Sequence, residues 1–414
     1  MNNQKTLIGN LFIIGLLFLS LTCSKSTGVD DDDDDIDRTP PSTIANLTVI
    51  AVTTSSATIQ WTAPGDDDTV GCSIEYDMRG SYDSITALNF EQAYKFDEPP
   101  APLPFGLVHQ YVVDGLEHDS TYYFAIKTRD DAGNWSGISN CPHVHIPGIA
   151  QVIFADTALE RVVREHINKP TGDILSSDVD TVIQIIAEGL GISSLSGLEY
   201  FTSLQNILMM NNDISDLTPL GGLTQLWGVH VSVNNISDIS PLAGNTTITQ
   251  LHLGQNPITD IGPTATMTSL EQLVLTETAV TDFSPLYGLP HLSDILFNSC
   301  NLTDVSFVSN LTHLRIAVIS FNQISSLAPF SGLTTLEALG LDYNQISEIG
   351  PLAGLVNLKY LYLRHNQISD IQPLVNNSGI GSGDEVYLNN NPLSPQSVDT
   401  LIPALEARGV TVSH

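Results

Sequence analysis

From residue 182 onward the apolar positions recur at a fixed interval of 22 residues, in units starting at Val182, Leu204, Leu226, Ile248, Leu270, Leu292, Leu314, Leu336 and Leu358. Positions 1, 4, 6, 11, 14, 17 and 20 of each unit are mostly aliphatic, position 9 is mostly Asn and position 16 mostly Pro. Leu336, Leu339, Leu341, Asn344, Ile346, Ile349, Pro351 and Leu352 form a nearly complete copy. The alternation at positions 4 and 6, as in Leu339 and Leu341 or Leu361 and Leu363, predicts a short strand with those side chains inward. A unit this small cannot bury its own apolar face, so the units must stack into a solenoid with a parallel β ladder along one concave side. Pro219, Pro241, Pro263, Pro285, Pro329, Pro351 and Pro373 predict a short, irregular convex side, because a fixed φ and a missing donor do not suit long helices. Asn212, Asn234, Asn256, Asn322, Asn344 and Asn366 would be buried once per turn and would need partners in every copy. Thr278 and Cys300 stand at that position in two successive turns and are read as structural substitutes.

Before the repeats the period changes. Short alternating runs, Ala57 to Trp61, Ser73 to Met78 and Thr121 to Lys127, are separated by turn-rich stretches and predict an antiparallel β-sandwich. In the last run Tyr122, Phe124 and Ile126 share one face and Tyr123, Ala125 and Lys127 the other, and one of the two faces is core. Between sandwich and repeats, Asp156 is placed to cap a helix bearing Leu159, Val162, Val163 and Ile167 and ending at Pro170. Beyond the ninth unit, Tyr387, Leu388, Asn391 and Leu393 predict a tenth turn, displaced by an insertion of three around Gly379 to Gly383. Ser394 and Pro395 then open a closing helix with Val398, Leu401, Ile402 and Leu405, stopped by Gly409. The expected molecule is multidomain: an all-β sandwich over 40–147, a helical cap over 151–181, the solenoid over 182–393 and a C-terminal helical cap over 394–414.

The repeat pattern resembles the leucine-rich repeat of the internalin-like bacterial subclass, which implies that the Asn ladder bonds the backbone leaving each strand and that the concave face binds macromolecules. Pro40 to Leu47, Trp61-Thr-Ala-Pro-Gly, Tyr76 to Arg79, Leu116 six places before Tyr122, and Asp131 to Ser136 resemble a bacterial fibronectin type III domain. That resemblance makes Trp61 the core aromatic of the second strand and Tyr122 the tyrosine corner. Lys5 followed by the apolar run Leu11 to Leu19 reads as a signal peptide, residues 1–22. Cys23 resembles the acylated cysteine of bacterial lipoproteins, although Ser20 and Thr22 depart from the usual lipobox. With Ser24 rather than Asp after it, the resemblance implies an outer-membrane lipid anchor; without acylation the chain would be secreted. Residues 23–39, with the carboxylate run Asp30 to Asp35, read as an extended acidic tether.

Composition narrows the partners. With 46 acidic and 14 basic residues the net charge is −32, which disfavours nucleic acid and anionic membrane surfaces, leaving membrane association to the N-terminal lipid. No nucleophile elbow, zinc spacing or phosphate loop is present, so no enzyme, metal or cofactor is expected, and His143-Val-His145 lacks further ligands. The expected role is non-catalytic: a monomeric envelope protein whose concave face binds a protein or a glycan, in adhesion or envelope assembly. The outward positions 3, 5, 7 and 8 carry Tyr343, Tyr360, Tyr362, Arg364, His365 and Tyr387, with Phe321 nearby, types enriched at interface hot spots. Trp227, His230 and His252 are secondary candidates. Cys72 and Cys141 are a candidate disulfide in an oxidising compartment. The rival expectation is an accessory or carbohydrate-active protein of polysaccharide breakdown, which would need a carboxylate pair from outward acids such as Asp342, Glu277, Asp294 and Glu188.

Overall fold

A computed structural model describes residues 37–66 and 73–414. Residues 1–22, read above as a signal peptide, Cys23, the run Asp30 to Asp35 and Cys72 lie outside the described residues. Two compact units divide the chain near Pro147.

The first unit is the expected sandwich. One sheet has the order β1 (Thr48–Val52), β2 (Ala57–Thr62), β5 (Val108–Val113). The other has β4 (Tyr94–Lys95), β3 (Glu75–Ser81), β6 (Ser120–Arg129), β7 (His143–Ile146). Alternation in β2 and β6 turns Ile59, Trp61, Phe124 and Ile126 inward, where they are buried with Tyr76 and Met78. Trp61 stacks on His109 at 4.9 Å and meets Tyr76 edge-on at 5.3 Å. Burial pushes the His109 imidazole down to about 4, and its Nε2 accepts from the Leu103 amide at 3.0 Å, so this core ring is neutral. The second face of β6 is also partly covered. Ala125 is buried with Ile85 and Phe90, the latter from a short 3-10 turn, Phe90–Gln92. Arg79, paired with Asp77 and Glu91, lies 4.9 Å from the Phe90 ring, and Lys127 lies 4.4 Å from it. Part of the long connection after β3 therefore serves as a lid on the outer sheet. Cys141 is half-buried and its Sγ accepts from the Ile85 amide at 3.3 Å.

The second unit opens with helix α1 (Thr157–His166). The Asp156 Oδ1 accepts from the Ala158 and Leu159 amides, and its Oδ2 accepts from Ser193, tying the cap to the first turn of the solenoid. Leu159 and Val163 are fully buried, as the 3.6-residue spacing predicts. Eleven three-residue strands, from Gln184–Ile186 to Thr411–Ser413, then form one parallel sheet. Strands pair in steps of 22 residues, for example Leu339 with Leu361. The step widens to 25 between Tyr362 and Tyr387, where the inserted segment is absorbed. There Gly379 approaches the preceding turn so closely that a Cβ would overlap the Val356 carbonyl, and buried Asn377 donates to the Leu352 and Leu355 carbonyls at 2.8 and 2.9 Å.

Each ladder Asn joins consecutive turns. Asn344 accepts from the Ile324 amide at 2.9 Å and donates to the Ile319 and Leu341 carbonyls. The Thr278 hydroxyl donates to the Leu275 carbonyl and lies 4.0 Å from Cys300 Sγ, and the Ile258 amide turns to the Asn256 carbonyl instead. In this neighbourhood Phe283, Phe297 and Phe307 pack on one another, with centroids 4.2 to 6.1 Å apart. On the convex side, 3-10 turns such as Thr218–Leu220 and Ser240–Leu242 carry Pro in their first positions. Asp216, Asp238, Asp260, Asp282, Asp304 and Asp370 each accept the amide two residues ahead at 2.7 to 2.9 Å. In six of the nine units an acid is thereby a turn cap, a use for the acidic excess that charge counting alone did not reveal.

The C-terminal cap differs from expectation in three ways. The helix begins as a π-type turn, Ser397–Leu401, before the α-helical Ile402–Glu406, because Pro403 has no N–H to give to the preceding turn. Leu401, Ile402 and Leu405 are buried, but Val398 is 36% exposed. After Gly409 the chain adds the eleventh strand, pairing Val412 with Val386.

Candidate functional site

Positions 3 and 5 of the short strands point away from the buried Leu ladder because side chains alternate along a strand. They place Tyr360, Tyr362 and Tyr387 on the concave sheet, with Tyr362 opposite Tyr387. Those two rings stack at 4.9 Å and 5°. The Arg364 guanidinium lies 4.8 Å from the Tyr387 ring and 5.6 Å from Tyr362. The Tyr387 hydroxyl donates to the Glu385 carboxylate at 2.6 Å, and this bond raises its pKa.

Position 7 does a different job from the one expected of an outward residue. The Asn298, Ser320 and Asp342 side chains each accept the position-7 amide of the next turn, at 2.7 to 3.1 Å. Asp342 also pairs with the Arg364 side chain at 3.2 Å. Burial pushes the Asp342 carboxyl up, against the lowering influence of the Arg364 amide and guanidinium. Asp342 therefore orients Arg364 rather than standing free.

Position 8 lies just beyond the strand in left-handed backbone. Asn211, Val233, Gln255, Glu277, Ser299, Phe321, Tyr343 and His365 all have φ between 54 and 59°. Such φ values project side chains of successive turns into one column. Phe321 stacks on Tyr343 at 4.5 Å and Tyr343 on His365 at 4.0 Å, with planes within 14°. The Asn390 side chain donates to His365 Nε2 at 3.0 Å. Phe321, Tyr343 and Tyr360 remain 55%, 44% and 43% exposed.

Residues 182–393 contain only three Lys or Arg side chains, Arg315, Lys359 and Arg364, against seventeen acids. All three stand on the same C-terminal turns as these rings. They pair with Asp294 at 3.2 Å, Glu337 at 2.8 Å and Asp342. Two of the outward acids considered for catalysis, Asp294 and Asp342, are thus engaged by arginines, and Glu277 belongs to the left-handed row.

The secondary candidates meet as expected from their register. His230 and His252 pair across adjacent strands, with Nδ1 atoms 2.8 Å apart, and His252 Nε2 is 2.6 Å from Gln272 Oε1. Since the Gln oxygen accepts, His252 Nε2 carries a proton, and a neutral His252 accepts from His230 at Nδ1. Burial lowers both imidazoles, His230 to about 4 with His252 adding to the shift. Trp227 is 38% exposed at position 2. Among the described residues no three His, Cys, Asp or Glu stand together as metal ligands, and no helix is long and apolar enough to cross a membrane.

The position-7 bonding and the left-handed row were not among the features expected from the sequence. The recurrence of small polar residues at position 7, Asn298, Ser320 and Asp342, was the available signal.

Comparison with known proteins agrees with this architecture. Residues 39–141 match the fibronectin type III domain, and residues 334–376 match leucine rich repeats in two copies. The functional domain of InlJ from Listeria monocytogenes, which includes a cysteine ladder, is 22% identical with a TM-score of 0.50, over 60% of this chain and 53% of that one. An internalin (inlF) from the same organism is 26% identical over 64% of this chain and 94% of its own, with a TM-score of 0.45. Internalin C2 (inlC2), also from that organism, is 32% identical over 58% and 95%, with a TM-score of 0.44.

Proposed function

We propose, for a chain that carries a fibronectin type III domain followed by leucine-rich repeats, that the C-terminal concave face of the solenoid binds a protein ligand at a bacterial cell envelope. The observation that carries this reading is one of location. The three cations of the repeats share the same few turns with the exposed Phe321–Tyr343–His365 stack and the half-buried Tyr362–Tyr387 stack, while the rest of the array is acidic. Both modules are typically non-catalytic binding domains, and rigid Tyr and Arg side chains held before contact lose little entropy on binding.

Ring geometry favours protein over glycan. Sugar recognition by stacking needs a free ring face, whereas Tyr343 has rings on both faces and Tyr362 and Tyr387 face each other. Their edges and hydroxyls are what a partner meets. The glycan alternative, in an accessory of polysaccharide breakdown, rests on Tyr360, which has no ring stacked on it among the described contacts. In the proposed setting, Cys23 carries the lipid at the outer membrane, or the chain is secreted, and the acidic tether and sandwich stand between that end and the solenoid.

The test is binding of the chain to arrays of envelope proteins and glycans beside a Tyr360→Ala, Tyr362→Ala, Arg364→Ala variant of matched thermal stability. A protein hit lost in the variant supports the site. A hit retained by the variant removes it, and a glycan hit lost with Tyr360 alone favours the alternative.

A further inference from the structure

The sandwich holds a cavity of about 620 Å³, within the usual range for small-ligand sites, where strands β4 and β5 form the edges of the two sheets. Five aromatic rings line it: Tyr82, Tyr94, Phe96, Tyr111 and Tyr122. Tyr82 and Tyr122 lie 4.8 Å apart with their hydroxyls 3.0 Å from each other, and Tyr94 meets Phe96 edge-on at 5.7 Å. Phe96 is seated there because residue 80 is glycine: a Cβ would come within 2.5 Å of its ring. Yet Tyr82 and Tyr94 remain 55% and 67% exposed, a large apolar area to leave in water within one small domain.

The charge of the lining has one sign. Asp97 and Asp114 belong to it, and among the described residues no Lys, Arg or His does. The nearest sequence cation, Lys95, pairs with Asp77. Burial, Asp114, Glu98 and Asp97 together raise the Tyr111 hydroxyl, as expected of a site with negative potential. Electron-rich rings, and carboxylates with no ion-pair partner among the described residues, complement a cation with an apolar surface rather than a hydrated metal ion, which needs converging oxygens.

We propose that this cavity binds an organic ammonium group, held by cation–π contact with the tyrosines and by the field of Asp97 and Asp114. This site is independent of the solenoid face. Calorimetric titration of the full chain with tetramethylammonium chloride, with Nα-acetyl-lysine amide and with neutral neopentyl alcohol tests it. Saturable binding of either ammonium probe but not of the alcohol is expected, weakened about ten-fold by Tyr94→Ala and by Asp97→Asn with Asp114→Asn, and unchanged by Tyr360→Ala. Which ammonium probe binds tells a quaternary from a primary group. If Tyr94→Ala fails to fold, the acid variant, which keeps every ring, carries the test. Equal binding of the alcohol, no binding of either ammonium probe, or parental affinity in the folded variants overturns the proposal.

Discussion

At the scale of single residues, the asparagine ladder is where a small change has the largest cost. Asn344 satisfies one amide and two carbonyls inside the solenoid, so Asn344→Ala strands buried polar groups and is expected to destabilise by about 2–3 kcal/mol. Thr278→Ala, losing one bond to the Leu275 carbonyl, should cost about 1 kcal/mol. Urea midpoints of the two variants, compared with the parent, check the order. The histidine pair makes a pH prediction. His230 titrates at about 4 in the fold against 6.5 unfolded, so between these values the unfolded chain binds more protons. Stability therefore rises with pH across that window and is lost as pH falls through it. Replacing His230→Gln should flatten the acid side of the melting curve by on the order of 1–2 kcal/mol, discounted because the ring keeps part of its surface in water. The ladder was legible in the sequence because burial of a polar residue at a fixed period has few explanations. The left-handed row was not, because Val233 and Phe321 are residue types that ordinarily avoid φ near 58° and gave no local sign of it.

At the scale of elements, the strands and the caps read differently. Leu339 and Leu361 announced their strands through alternation repeated nine times, and Asp156 announced α1 through its place before an apolar stripe. Because Asp156 both caps that helix and holds Ser193, Asp156→Ala should lower stability by about 1–2 kcal/mol. Hydrogen exchange should show the loss concentrated in 157–166 and around Ser193; a uniform effect would deny the link between cap and first turn. By contrast, the strand Thr411–Ser413 is three residues following a helix, too short for any periodicity, and it forms because the edge of the Glu385–Tyr387 strand offers unpaired backbone groups. The lid of Phe90 on the outer face of β6 was equally silent: Ala125 and Lys127 look like solvent-side residues until the distant segment 85–93 folds over them.

At the scale of the whole molecule, the candidate face was located by the sequence and its geometry was not. Tyr343, Tyr360, Tyr362, Arg364, His365 and Tyr387 could be assigned to one side by counting, but which rings stack depends on backbone conformation, and the place of Arg364 beside the Tyr387 ring on its pairing with Asp342. The 22-residue register, unbroken from Gln184 to Tyr362, has a further consequence. Since each repeat adds one strand spacing and nothing else, the number of repeats is a gauge that sets how far the aromatic patch lies from the N-terminal cap. Excision of residues 270–291 should draw the patch about 4.8 Å nearer that cap while keeping every contact within it. Ligand affinity should survive the excision. Reach from an anchored end would shorten by one step, so that length and recognition in this chain can change separately.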